Sequence, residues 1–211
     1  TYAFGVEDPK IDISNPLGFE GEDRSELPNF AGRLKWSWED GSHIQLGGDV
    51  FQLNWQGGET GPSDKETGYG LNLTGRWVVG AKNRNALVAG TTIGKGSAHR
   101  VVPFEGGGND AVITGAGLDV ISHNQAYIAY SHYWADNWNS AFSYNWAELD
   151  NSEFQSGDAI HQVNAFHANL IWFPYRRAST GFEVMYGERE NKDGAKGDAW
   201  RLQYMVKYKF N

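Results

Sequence analysis

Residues 200–210 read WRLQYMVKYKF, and the fold turns on how this stretch is divided. Every second residue, Trp200, Leu202, Tyr204, Val206, Tyr208 and Phe210, is apolar or aromatic. The residues between them are Arg201, Gln203, Met205, Lys207 and Lys209, which are mostly polar and basic. A period of two is the signature of a β-strand, whose side chains alternate between faces. The length of the run and the aromatic ends of its greasy face point to a strand set between lipid and water.

The same alternation recurs along the chain. In "FAGRLKWSW", Phe30, Leu34, Trp36 and Trp38 oppose Arg33, Lys35 and Ser37. In "YGLNLTGRWVV", Tyr69, Leu71, Leu73, Trp77 and Val79 oppose Asn72, Thr74 and Arg76. Residues 86–93, 139–148, 164–173 and 178–188 follow the rule, and 44–55 and 127–134 are strand-like with an ambiguous face. Within 44–55 the apolar set changes parity between Val50 and Phe51, which predicts a β-bulge there. About ten strands of roughly nine to thirteen residues result, longer than the five or six residues usual in soluble sheets.

The connections also alternate. Residues 39–42, 80–85, 135–138 and 174–177 are short and turn-like, whereas 7–29, 57–68, 95–124, 149–160 and 188–198 are long. Outer-membrane barrels have short turns at one end and long loops at the other. The expected fold is therefore all-β, an antiparallel transmembrane β-barrel in one domain over 1–211. The stretch "DAVITGAGLDVI" has strand character but is assigned to the long loop, because an extra strand would break the rhythm. Segment 95–124, with Lys95, His99 and Arg100, is the candidate for an inward-folded or extracellular loop.

Composition fits this reading. The 211 residues carry 18 Lys+Arg against 26 Asp+Glu, a net charge of −8, which argues against nucleic acid as a partner. There are 9 Trp and 10 Tyr, yet mean hydropathy is −0.56, as amphipathic strands with polar partners would give. With no cysteine, disulfides and thiolate metal sites are excluded. No run approaches the roughly 18 apolar residues of a membrane helix. Thr1 is not followed by a leader-like segment, so the expectation is a processed chain or one beginning partway through a longer product.

Over Gly181–Phe210 the passage "TGFEVMYGERENKDGAKGDAWRLQYMVKYKF" resembles the end of DcaP-like outer-membrane porins, and "GVEDP", "HIQLGG", "GYGLNLTG" and "IAYSHYW" are similar to earlier parts of that family. The resemblance implies a homotrimeric diffusion channel in the bacterial outer membrane, with small anions such as dicarboxylates as cargo. It also implies a barrel of around sixteen strands, of which this chain supplies about ten. Here the usual terminal Phe is followed by Asn211.

If the apolar faces meet lipid, the opposite faces line a water-filled lumen. Arg33, Lys35, Arg76, Arg201 and Lys207 then lie inside, with Glu183 as an acidic counterpart, and Arg100 projects from the long loop. Fixed cations in a polar pore concentrate anions, and the planar guanidinium grips carboxylates well. The plainer reading of each is a solvated, partly paired charge. The acidic residues Glu20, Glu22, Asp23, Glu26, Glu59 and Asp64 read as solvated loop charges, or as carboxylates sharing divalent cations with lipopolysaccharide. The histidines, His161 and His167 included, show no zinc-binding spacing, and no nucleophile elbow or phosphate loop occurs. Catalysis, a cofactor and a metal are not expected. The alternative is a non-conducting β-barrel with a structural or ligand-binding role.

Overall fold

The computed structural model describes residues 1–8, 10–24, 26–59, 61–80 and 84–210. Fourteen strands follow in chain order: β1 (Tyr2–Glu7), β2 (Ile13–Ser14), β3 (Gly21–Asp23), β4 (Asn29–Ser37), β5 (His43–Gly57), β6 (Asp64–Val79), β7 (Asn85–Lys95), β8 (Ala111–Thr114), β9 (Gly117–Val120), β10 (Ser122–Ala135), β11 (Trp138–Asp150), β12 (Ile160–Tyr175), β13 (Ala178–Asn191) and β14 (Lys196–Tyr208). The main sheet runs β1-β4-β5-β6-β7-β10-β11-β12-β13-β14, with β3 alongside part of β5. Its neighbouring strands are all antiparallel. Among the described residues the sheet does not close, and β1 and β14 stand at its two ends.

The register explains why the sequence alternates. One row of cross-strand partners reads Trp36, Ile44, Gly75, Ala89, Ile128, Tyr144, Phe166, Tyr186, Trp200. The adjacent row reads Lys35, Gln45, Thr74, Gly90, Tyr127, Asn145, Ala165, Gly187, Ala199. The first belongs to an aromatic face and the second to a polar face. The rows also climb, from the short-turn end of β4 to the long-loop end of β14, which is the stagger that tilted barrel strands require.

The aromatic face is bare. On β14, Leu202 is 71% and Val206 69% exposed, and Leu46, Leu71, Ile128 and Phe182 on other strands are exposed as well. Aromatics sit near both ends of it: Tyr69 with Trp77, Trp138 with Trp146 and Trp200 with Tyr208 are eight residues apart. At a rise of about 3.4 Å per residue this is about 27 Å, close to the apolar band of a membrane barrel, about 25 Å.

Turns join strands at one end of the sheet. In the first, Asp40 accepts from the Ser42 amide at 2.8 Å and from the Ser42 hydroxyl at 2.9 Å, and Gly41 takes φ +87°. These bonds hold the Asp40 carboxyl below its ordinary range. Ala135–Trp138 and Tyr175–Ala178 close as hairpins, whereas residues 81–83 of the turn expected at 80–85 lie outside the described residues.

At the other end the connections are shorter than expected. The loop at 57–68 contracts to 58–63, and that at 188–198 contracts to 192–195. Charged residues continue these strands, and a Lys196–Glu190 pair at 2.8 Å bridges β13 and β14. Beyond a bilayer no apolar face is required, so the alternation stops before the hydrogen-bonded ladder does. Strand β1 also lies outside the sequence reading, because only six residues alternate there.

Residues 96–121 hold two short 3-10 turns, Ala98–Arg100 and Val102–Phe104, followed by the β8–β9 hairpin. With β2, parallel to β8, this hairpin makes a small second sheet. "DAVITGAGLDVI" is thus both strand and loop, and the main rhythm survives. The layer packs on the polar face of the main sheet. Phe51, Leu53 and Trp55 of β5 join Ala111, Ile113 and Leu118, while Ala147 and Leu149 of β11 join Ala98, Val101, Phe104, Val112 and Ile121. The predicted bulge is therefore absent. Pairing of β5 with β6 is unbroken from His43↔Arg76 to Trp55↔Asp64. Apolar residues change face after Val50 because a second layer covers the other side.

Candidate pore-lining surface

Five of the six predicted basic residues occupy the polar face. Arg33 lies opposite Ala3 and Gly47, and Lys35 opposite Gln45. Arg76 pairs in register with His43 and donates from Nη1 to the Gly41 carbonyl at 3.0 Å. Lys35 and Arg76 flank β5 two register rows apart, in the short-turn half of the sheet. Arg201 faces Met185, and Lys207 faces Ser179, at the far end of the strand order. The strands thus bring Arg33, Lys35 and Arg76 into one neighbourhood and leave Arg201 and Lys207 in another. Among the described residues none of these five makes an ion pair. Glu183 shares the polar face and lies 3.4 Å from His167 Nδ1.

Arg100 differs. It projects from the first 3-10 turn toward β5 and β1, with Nη2 3.0 Å from Asp49 Oδ2 and Nη1 4.0 Å from Glu7 Oε2. Its guanidinium lies over the Phe51 ring, 5.7 Å from the centroid. Its charge is therefore partly answered by wall carboxylates. Glu7, Asp49 and Glu66 all lie in the long-loop half of the polar face, so over β1 and β4–β6 the wall is acidic near the loops and basic near the turns.

The layer over β5 is held by buried polar groups. Asp110 is fully buried and accepts from the Asp12 amide at 2.7 Å and the His99 amide at 2.9 Å. Its Oδ2 also lies 2.7 Å from His99 Nδ1. Asp64 Oδ2 accepts from the Leu118 amide at 2.8 Å, so this carboxylate, expected to be a solvated loop charge, fastens the layer to β6. Outside the sheet, Lys10 and Glu105 pair at 2.7 Å, which holds the Glu105 carboxyl below and the Lys10 amine above their ordinary ranges. Glu26 pairs with Lys65 at 2.6 Å. Among the described residues no group of three or more His, Asp or Glu side chains is placed to hold a metal ion.

Between this layer and the wall lies a cavity of about 310 Å³, lined by Gly32, Gly47, Gly70, Asp49, Arg100 and His123 among others. Ser97 Oγ lies 2.8 Å from His123 Nε2. This is not an activated nucleophile. Ser97 donates its proton to the Tyr69 carbonyl at 2.9 Å, and His123 Nδ1 has no carboxylate partner. The surface offers fixed charges, hydrogen-bond acceptors and bare glycine backbone, which suit reversible contact with small solutes.

Glu7, Asp49, Ser97 and His123 were missed as a group in the sequence. Asp49 falls on the polar parity of β5 beside Gly47, which was the available signal, whereas Ser97 and His123 meet only through the folding back of residues 96–121.

A long-stranded antiparallel sheet with an exposed aromatic face and a polar face that carries a second layer has the features of a β-barrel wall. Among solved structures it is similar to the outer membrane channel DcaP of Acinetobacter baumannii, with a TM-score of 0.83 and 18% sequence identity. The match covers 100% of this chain and 59% of that one, so the chain spans about three fifths of the matched channel's length. No family model and no curated protein matches the chain.

Proposed function

We propose that this chain forms part of the wall of a bacterial outer-membrane porin through which small anionic solutes, dicarboxylates among them, diffuse passively. The observation that carries the reading is the division of the register into an exposed aromatic face and a polar, charged face over the main sheet. In lipid, unpaired strand edges are not tolerated. The edges of β1 and β14 are accordingly paired in the membrane by further strands, as in a barrel of around sixteen, and 1–211 belongs to a single β-barrel domain. Lipid and lipopolysaccharide surround the aromatic face, and a homotrimer is the assembly expected from the resemblance to DcaP-like porins.

Arg33, Lys35, Arg76 and Lys207 set the field of the short-turn half of the lumen, Arg201 lies nearer the long loops, and Arg100 stands at the constriction made by residues 96–121. Free cations in a narrow aqueous path favour anions. The test is channel conductance in a planar bilayer across a salt gradient. An anion-selective reversal potential is expected, shifting toward cations in the R201E/K207E variant. A reversal potential unmoved by that double substitution overturns the assignment of these residues. Folded protein that never conducts favours the second reading, a plugged, ligand-binding barrel, for which the layer on the polar face is the supporting observation.

A further inference from the structure

The cavity beneath residues 96–101 has a chemistry that a simple anion path does not require. We propose that it is a binding subsite for a small zwitterion of the amino-acid type, its ammonium held by Asp49 and His123 and its carboxylate by Arg100. Access of solute to it rests on the channel reading above.

The hydrogen-bond pattern fixes the state of His123. Ser97 has a single hydroxyl proton and gives it to the Tyr69 carbonyl. Toward His123 it therefore accepts, so Nε2 carries the hydrogen. Nδ1 is left as a lone-pair acceptor. It is without a partner on a side chain only 1% exposed, at the lining of the cavity. Buried acceptors of this kind are costly unless something donates to them. Asp49 Oδ2 is similar. It lies close to Arg100 in a poorly aligned contact and accepts no hydrogen bond from any described residue.

Glycine brings these groups together. A Cβ at Gly70 would come within 2.7 Å of Asp49 Oδ1 and 3.6 Å of Ser97 Oγ. A Cβ at Gly94 would lie 2.5 Å from His123 Nε2 and collide with Ser97 Oγ. Asp49, Ser97 and His123 can sit side by side only over bare backbone. Among the described residues that line the cavity, Asp49 and Arg100 are the opposite charges, and Glu7 lies 4.0 Å from Arg100 outside the lining. A dianion would meet the Asp49 carboxylate and leave the acceptors of Asp49 and His123 without a donor, whereas a zwitterion satisfies them with its ammonium and Arg100 with its carboxylate. The volume of about 310 Å³ suits a small solute.

The test is calorimetric titration of the complete barrel that contains this chain, folded in detergent, with alanine, acetate, ethylamine and succinate. Alanine is expected to bind at least tenfold more tightly than the other three. The near-isosteric Asp49→Asn and the variant His123→Leu are each expected to weaken alanine tenfold or more, with folding checked by resistance to SDS before boiling. Succinate binding as tightly as alanine, no heat with alanine, or wild-type affinity in folded Asp49→Asn overturns the proposal. Bilayer conductance of the same preparation separates the two readings. Conduction without alanine binding removes the subsite and keeps the channel, and alanine binding without conduction does the reverse.

Discussion

Strands β5 and β14 belong to one sheet and obey one register, yet their polar faces live in different surroundings. On β14 every residue is exposed, and Arg201, Gln203, Met205 and Lys207 have water in front of them. On β5 the polar face is covered from Phe51 to Trp55, and Phe51, Leu53 and Trp55 are buried among residues 111–118. The difference shows that in this architecture the chemistry of the polar face reports what lies over it. The aromatic-face residues Ile44, Leu46 and Val50 of β5 and Trp200 to Tyr208 of β14 are apolar in both strands because their surroundings are the same.

Substitutions can break this contrast. The largest expected effect is at Leu53, which is fully buried. Leu53→Asp places an unpaired charge in the layer, at a cost of about 3–5 kcal/mol. We predict early proteolytic cleavage within 96–121 while the strands remain protected. Met205→Asp on β14 is expected to change stability by no more than about 0.5 kcal/mol. Equal thermal shifts in the two variants would mean that the covered and open faces are not distinct.

Next in size is Asp110→Ala, which strands the Asp12 and His99 amides and the His99 ring. Loss of a buried, multiply bonded carboxylate costs about 3 kcal/mol. The expected readout is faster hydrogen exchange at 98–120, with exchange in β12–β14 unchanged. Uniform acceleration across the sheet would show that the layer and the wall unfold together.

The smallest effect is at the opposite end of the sheet. The Asp40 carboxyl is held below its ordinary value of 3.8 by its bonds to Ser42. Because its folded pKa is depressed, its contribution is present above the ordinary value and fades as pH falls through the folded one. Asp40→Asn should therefore lose part of the acid-dependent drop in thermal stability below about pH 4, and an identical acid limb in the variant would remove the turn from the account.

Much of the wall was legible because alternation survives wherever one face meets an apolar medium and the other does not. Phe30 to Trp36, Tyr69 to Val79 and Phe166 to Trp172 could be assigned to faces from spacing alone, and so could the parity of Arg33, Lys35, Arg76, Arg201 and Lys207. Strand ends at 64–68 and 188–191 were not legible, because polar residues beyond the apolar band look the same in a strand and in a loop. The parity change at Val50–Phe51 was visible, but its cause was not.

The sequence by itself determined which side of most long strands is greasy, β5 and β10 excepted, since that follows from a two-residue period and needs no partner. It also placed the five strand cations on the other side. Only the tertiary structure decided what those polar faces meet. The burial of Phe51 and Leu53, the pairing of Arg100 with Asp49 and the meeting of Ser97 with His123 all depend on residues 96–121 folding back across strands distant in sequence. Such contacts are set by long-range packing, which leaves no periodic trace in the chain.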